Sequence, residues 1–70
     1  MSATMVHVGE RLKELRAKRL MSQRDLASEA GLSPATIAKI ETNKVEPHFG
    51  TLRKLTKALE VEPSELVGGD

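Results

Sequence analysis

The stretch Ser22–Asn43, SQRDLASEAGLSPATIAKIETN, decides how this chain folds, because two helix starts and a turn signal follow one another within it. Ser22 can cap a first helix, and Asp25 three residues later completes a capping box. Gly31 stands where the chain must leave that helix, since glycine adopts the left-handed conformation at little cost. Ser33, followed by a proline, signals a second helix start. The stretch therefore predicts two short helices joined by a tight turn.

Apolar residues within the stretch predict how these two helices pack. Ala27, four residues before Gly31, is small enough to let the helices approach closely at a steep angle. Ile37 and Ile40, three residues apart, mark the inward face of the second helix. The pattern as a whole predicts a helix-turn-helix. The side chains expected to fill the angle between the helices are Leu26, Leu32, Ile37 and Ile40.

Length and composition limit the rest of the fold. Seventy residues make one small domain, and the absence of cysteine excludes disulfides and thiolate metal sites. Hydrophobic residues make up 39% of the chain, but Phe49 is the only aromatic residue, so the core must consist of aliphatic side chains. No run approaches the roughly 20 apolar residues of a membrane span. We therefore expect an all-α, compact bundle of about five short helices in a cytoplasmic protein.

Charge is unevenly distributed along the chain. Residues 11–57 contain all eleven lysines and arginines against five acidic residues, a balance of +6, and the five remaining acidic residues lie outside this range. A basic body with an acidic C-terminal end is typical of a nucleic-acid-binding domain that carries a separate C-terminal surface. Charge alone is equally compatible with an ordinary solvated surface.

Periodicity outside the central stretch predicts the other helices. A first helix is expected from Val8 to Leu20, with Leu20 on its apolar face and a positive opposite face. A fourth helix is expected to begin at His48 or Phe49, after an extended loop that ends at a proline. A short last turn, PSELV, is expected over 63–67. We expect residues 1–7 and 68–70 to be flexible and residues 8–67 to form the domain; residues 68–70 are either a frayed end or the start of a linker.

The central stretch resembles the helix-turn-helix of phage repressors and Cro proteins, the XRE-like family of DNA-binding transcriptional regulators. The likeness extends over roughly residues 8–67 and rests on the cap, the small residue, the turn glycine and the isoleucine pair, with Gln23 and Glu41 at matching places. It implies a lambda repressor-like domain whose second helix enters the major groove. It also implies that Arg16 pairs with Glu41 and that both, like Gly31, are structural.

The resemblance implies particular contacts to DNA. Asn43 stands where the family usually has glycine, and Pro34 and Ala35 stand where phage repressors often have glutamine. Base reading is therefore expected to depend on Lys39, on methyl contacts and on DNA shape. The candidate base-reading residues are Ser33, Pro34, Ala35, Thr36 and Lys39, and the candidate phosphate-binding residues are Gln23, Arg24, Asn43, Lys44, His48 and Arg53.

The resemblance also implies a function and a partner. We expect sequence-specific binding to double-stranded DNA at a pseudo-palindromic operator, by a small regulator that acts as a repressor. A weak homodimer is expected to form through Phe49, Val61 and Leu66, with Phe49 alternatively in the core. No enzyme, cofactor or metal site is expected, since His7 and His48 lack other ligands at suitable spacing. The alternative interpretation is an antitoxin or a protein-interaction module with the same fold.

Overall fold

The computed structural model describes residues 8–67, and every regular element within them is an α-helix. This confirms the predicted all-α bundle of five helices. The expectations for residues 1–7 and 68–70 concern segments that lie outside the described residues. In chain order the helices are α1 (Val8–Lys18), α2 (Gln23–Ala30), α3 (Pro34–Glu41), α4 (Phe49–Leu59) and α5 (Pro63–Val67).

The core is aliphatic, as the composition predicts. α2 packs against α3 and α4, α1 packs against α3 and α5, and α4 packs against α5, so the other three helices complete a bundle around α2 and α3. Burial of such side chains from water, at about 25 cal/mol per Å², is the main favourable term in folding. The largest fully buried side chains are Leu12, Leu26, Ile37, Ile40, Leu55 and Leu59.

The two helices of the central stretch begin as the sequence predicts. The Asp25 amide donates to Ser22 Oγ at 2.9 Å, and the Ser22 amide donates to Asp25 Oδ2 at 2.9 Å, which completes the capping box of α2. Ser33 caps α3 by accepting a hydrogen bond from the Thr36 amide at 3.2 Å. Both starts are therefore specified by hydrogen bonds between residues only three apart in the sequence.

Four helices end in the same way, with one left-handed residue followed by an amide that donates five residues back. The left-handed residues are Leu20 (φ 56°), Gly31 (φ 72°), Asn43 (φ 60°) and Glu60 (φ 58°). This arrangement is the Schellman motif, which satisfies carbonyls at the helix end. Its longer hydrogen bonds join Met21 to Arg16 (3.1 Å), Leu32 to Ala27 (2.8 Å), Lys44 to Lys39 (2.9 Å) and Val61 to Thr56 (3.1 Å).

The prediction for Leu20 is wrong. α1 ends at Lys18, and Leu20 lies in the turn after it with 91% of its surface exposed. Because the left-handed backbone turns its side chain away from the helix, Leu20 cannot continue the apolar face of α1. Met21, the next residue, packs against the core instead.

The predictions for Phe49 and Leu66 also need correction. Phe49 begins α4 and is 76% exposed, so the interpretation of Phe49 as a core residue is wrong. Leu66 is 3% exposed and belongs to the core. This burial leaves the Leu66 side chain no surface for a partner, so its predicted place at a dimer contact is wrong.

Gly9 provides a close approach between helices that the sequence interpretation missed. A Cβ at Gly9 would lie 2.5 Å from the Ile40 carbonyl oxygen and 2.7 Å from that of Glu41, so no larger residue fits there without backbone movement. The start of α1 therefore rests directly on the end of α3. The sequence does contain a signal of this contact, because Gly9 is a glycine on the apolar side of a helix. Glycine lowers helix propensity at such a position, so its presence there indicates tight packing.

Candidate nucleic-acid interface

Helix α3 presents one face to the core and the other to solvent. Ile37 and Ile40 are buried, which orients the helix about its axis. Of the five candidate base-reading residues, four are exposed and Thr36 is half-buried. The structure therefore brings all five together on the first two turns of one helix, with the predicted side outward. The exposed four are Ser33, Pro34, Ala35 and Lys39.

Two of these candidates already have partners within the protein. The hydroxyl oxygens of Ser33 and Thr36 lie 2.9 Å apart and share a hydrogen bond, in addition to the cap that Ser33 provides. Each hydroxyl keeps capacity for at least one further bond, because a hydroxyl has one donor and two acceptor positions. Lys39 forms no ion pair with any described residue, so its ammonium group would break no internal ion pair on binding a ligand.

The candidate phosphate-binding residues lie at helix ends around α3. Gln23 and Arg24 open α2, and His48 immediately precedes α4. Helix α4 differs from α2 and α3 because no side chain caps it, and a Cβ at Gly50 would have nothing within 4 Å. Its first amides are thus open to an anion, and the positive end of the helix dipole favours one. Arg53 is exposed one turn further along.

The turn after α3 places Lys44 close to the interface. The Lys44 amide donates to the Lys39 carbonyl, so the backbone of Lys44 lies against the last turn of α3. Asn43 adopts the left-handed conformation that the sequence predicts for a residue in place of glycine. Its side-chain oxygen would lie 2.7 Å from a Cβ on Gly9, and thus faces α1. Asn43 therefore ends the helix, and its binding to phosphate stays a prediction.

An ion pair joins α1 to the end of α3. Arg16 Nε donates to Glu41 Oε2 at 2.7 Å and Arg16 Nη2 donates to Glu41 Oε1 at 3.1 Å, which confirms the expected pair. The Glu41 side chain is only 2% exposed, and Arg16 is itself fixed by donating to the Met21 carbonyl at 2.8 Å. A buried pair with this geometry fixes the position of α1 relative to α3. Loss of either partner would leave an unpaired charge in the interior.

Gln23 contacts the same carboxylate, which the sequence interpretation did not foresee. Gln23 Nε2 donates to Glu41 Oε1 at 3.0 Å, so Glu41 accepts three hydrogen bonds from two helices. Burial raises the pKa of Glu41, but the hydrogen bonds from Arg16 and Gln23 and the charges of Arg16 and Lys13 outweigh it. The pKa of Glu41 therefore lies below its ordinary value, and the group is ionised at neutral pH.

Two arginines of the expected positive face of α1 serve the fold. Arg11 Nε donates to the Glu65 carbonyl at 2.6 Å, and Arg19 Nη1 donates to the Leu59 carbonyl at 2.9 Å. These bonds attach α1 to α5, and the turn after α1 to the end of α4. Both arginines thus make contacts within the bundle. No sequence signal distinguishes them from solvated arginines, because their partners are backbone carbonyls far away in the sequence.

The predicted dimer residues do not form one patch. Phe49 begins α4 and Val61 follows its end, and an eleven-residue helix separates them by about 16 Å. Val61 is half-buried against the core. Phe49 is therefore the one predicted dimer residue with a largely exposed side chain. Separately, no helix in residues 8–67 is long and apolar enough to cross a membrane.

Proteins of known family share the sequence pattern of this helix-turn-helix. The chain belongs to the helix-turn-helix family HTH_3, whose pattern matches residues 12–66. This confirms the resemblance to phage repressors and Cro proteins. The chain is 38% identical over 61 residues to the immunity repressor protein of Bacillus phage phi105, a match that covers 87% of this chain and 42% of that protein. It thus spans less than half of this relative.

Two solved structures show the same architecture. The restriction-modification controller protein C.AhdI from Aeromonas hydrophila superimposes with a TM-score of 0.86 at 35% identity, over 93% of this chain and 98% of that one. The P22 c2 repressor, in complex with a synthetic operator, superimposes with a TM-score of 0.83 at 35% identity, over 90% of this chain and 96% of that one.

Proposed function

We propose that this chain binds double-stranded DNA in a sequence-specific manner and acts as a transcriptional repressor. Helix α3 enters the major groove with its N-terminal end towards the bases, and the surrounding helix ends hold the phosphates. The observation that supports this most directly is the outward face of α3, where Ala35 and Lys39 are exposed while Ile37 and Ile40 anchor the opposite side. Among the structural relatives, the P22 c2 repressor is seen in complex with an operator.

Each part of the surface has a chemical task in this proposal. Lys39 donates to guanine O6 and N7, Thr36 bonds a base edge or touches a thymine methyl, and Pro34 with Ala35 makes apolar contacts. Backbone amides at the uncapped start of α4 and the ammonium group of Lys44 bind phosphates. The candidate phosphate-binding residues remain Gln23, Arg24, Asn43, Lys44, His48 and Arg53.

Selection from a random duplex pool tests the function. The chain is immobilised, bound duplexes are recovered over several rounds, and the enriched sequences are compared with those that a Lys39→Ala variant enriches. We expect one short motif for the wild type and a changed preference at one position for the variant. A pool that stays random would contradict sequence-specific regulation and would favour the alternative, an antitoxin or protein-interaction module.

We further propose that the chain is cytoplasmic and binds its operator as a weak homodimer. One module of this size makes few contacts, and two half-sites one helical turn apart multiply them. Phe49 supports the proposal because it is 76% exposed, and burying a large aromatic side chain stabilises association. The enriched motif should then be a pseudo-palindrome.

Sedimentation measures the dimer directly. We expect reversible self-association that Phe49→Ser weakens, while Leu20→Ser, which removes another strongly exposed apolar side chain, leaves it unchanged. A strict monomer both free and on palindromic DNA would contradict the homodimer. An equal effect of the two substitutions would contradict the role of Phe49.

A further inference from the structure

We propose that Glu41 is a positioning residue for DNA binding, whose carboxylate fixes the Gln23 amide so that one N–H points outward to a DNA phosphate. The contact between Gln23 and Glu41 belongs to the free protein and is independent of any ligand. The last step, delivery of the N–H to phosphate, rests on the proposed function. Glu41 itself touches no DNA in this proposal.

The chemistry of the contact determines the orientation of the amide. An ionised carboxylate only accepts hydrogen bonds, so the NH₂ group of Gln23 must face Glu41 and the amide oxygen must face away. The 3.0 Å bond to Glu41 Oε1 uses one of the two N–H groups. The second N–H remains as a donor at the start of α2. The opposite orientation would place the amide oxygen against a carboxylate and is therefore excluded.

The carboxylate can hold this position because it is fixed from the other side. Arg16 donates to both of its oxygens, and the side chain is 2% exposed. Arg16 also balances its charge, so Glu41 does not repel an approaching phosphate. Lys13 adds positive charge from α1. A long glutamine side chain that is already ordered loses less rotamer freedom on binding than a free one.

The site of the remaining N–H suits an anion. Gln23 is the first residue of α2, where the Ser22 cap serves the Asp25 amide and the first amides lack partners within the helix. The outward N–H thus adds a side-chain donor to backbone donors at the positive end of a helix dipole. α1, α3 and α2 thereby form one connected unit, from Arg16 through Glu41 to Gln23.

The amide composition of the chain allows a specific test, in the protein without DNA, of whether Glu41 orients the Gln23 amide. Gln23 is the only glutamine and Asn43 the only asparagine, so the wild type has two side-chain NH₂ pairs in a ¹⁵N NMR spectrum. As pH falls through the acid range, we expect the Gln23 pair to shift together with the Glu41 carboxyl carbon and the Asn43 pair to stay still. A Gln23 pair that ignores the Glu41 titration would overturn the proposal.

Asp25 needs a separate control, since it lies two residues from Gln23 and also titrates in acid. In Asp25→Ala the response of the Gln23 pair should persist, whereas in Glu41→Gln it should disappear. The opposite result would assign the response to Asp25 and overturn the proposal. The wild-type titration needs no variant, so the test stands even if Glu41→Gln folds poorly.

A double-mutant cycle on the enriched duplex tests the DNA step, at a temperature where circular dichroism shows all variants folded. We expect Gln23→Ala to weaken binding about tenfold, the size of one hydrogen bond to a charged group, and to have less than about a twofold effect in the Glu41→Gln background. Additive effects would overturn the positioning role. A wild type that binds no duplex would overturn the proposed function, while the NMR titration would still decide whether Glu41 orients Gln23.

Discussion

At the scale of single residues, Leu20 adopts the left-handed backbone conformation, which is unfavourable for a residue with a branched side chain. Its φ of 56° costs a non-glycine residue about 1–2 kcal/mol, and 91% exposure means that no packing compensates it. Leu20→Gly should raise the free energy of unfolding by about 0.5–1 kcal/mol, because glycine's greater freedom in the unfolded chain offsets part of the gain. Chemical denaturation measures the change.

Leu20→Ala is the matched control for this prediction. Alanine removes the exposed apolar side chain but keeps the left-handed strain, so its stability should stay close to that of the wild type. An equal gain from alanine and glycine would show that exposure of the leucine, and not the backbone conformation, is the unfavourable feature.

Lys39 is the residue on which base specificity depends most in the proposed complex. It is exposed on α3 and has no ion pair among the described residues. Lys39→Ala should lower discrimination at one base pair by about 1–3 kcal/mol, the usual value of a good contact to a base edge. Competition between the enriched duplex and single-base variants measures it; unchanged discrimination at every position would exclude Lys39 as a base reader.

At the scale of elements, Gly9 controls how closely α1 approaches α3. A methyl group there would lie 2.5–2.7 Å from backbone carbonyl oxygens, which cannot move aside as a flexible side chain can. Gly9→Ala should lower the free energy of unfolding by about 1–3 kcal/mol, as overpacking does elsewhere.

Gly50→Ala is the control for this prediction, since its Cβ would meet nothing within 4 Å in the first turn of α4. It should be neutral or stabilising by up to about 1 kcal/mol, because alanine is the better helix former. Loss of stability at both glycines to the same extent would contradict a specific contact between α1 and α3.

Helix starts and stops show what the sequence could predict at this scale. Capping by Ser22 and Ser33 and the stop at Gly31 depend on neighbours within a few residues, so they were readable in the sequence. The stops at Leu20 and Glu60 use the same motif without glycine, so the residue type at these two positions does not mark them, although Pro63 indicates that α4 must end before it. Packing of the following residues, Met21 and Val61, on the core accompanies these stops.

The candidate site was predictable to a similar extent. The outward face of α3 follows from the isoleucine spacing, and the Arg16–Glu41 pair followed from the resemblance. The contact of Gln23 with Glu41 joins residues 18 positions apart. Such a contact depends on how three helices meet, which no local pattern encodes.

At the scale of the whole molecule, the ion pair connects stability to pH. Glu41 has a lowered pKa in the folded state, so the unfolded chain binds its proton more readily. The pKa of Asp25 is also lowered in the folded state, because of its hydrogen bonds with Ser22, and it contributes to stability in the same way. The stability from these two groups is fully present above their ordinary pKa values, near 4, and is lost as pH falls through the lower, folded-state values.

Thermal unfolding between pH 7 and pH 2 measures this dependence. We expect the melting temperature to fall steeply in the acid range for the wild type and less steeply for Glu41→Gln. Glu29→Gln, which changes an exposed glutamate without an ion pair among the described residues, should keep the wild-type profile. Identical profiles for all three proteins would contradict the role of Glu41.

Binding to DNA through phosphate contacts around α3 is tested most directly by the salt dependence of affinity for the enriched duplex. Lys44 lies in the turn after α3, whereas Lys54 is another exposed lysine, which lines a shallow depression with Glu29 and Lys57 between α2 and α4. The logarithm of the association constant should fall linearly with that of the salt concentration, with a slope smaller by about 1 in Lys44→Ala and unchanged in Lys54→Ala. A slope that neither substitution changes, or that both change equally, would contradict binding by this surface.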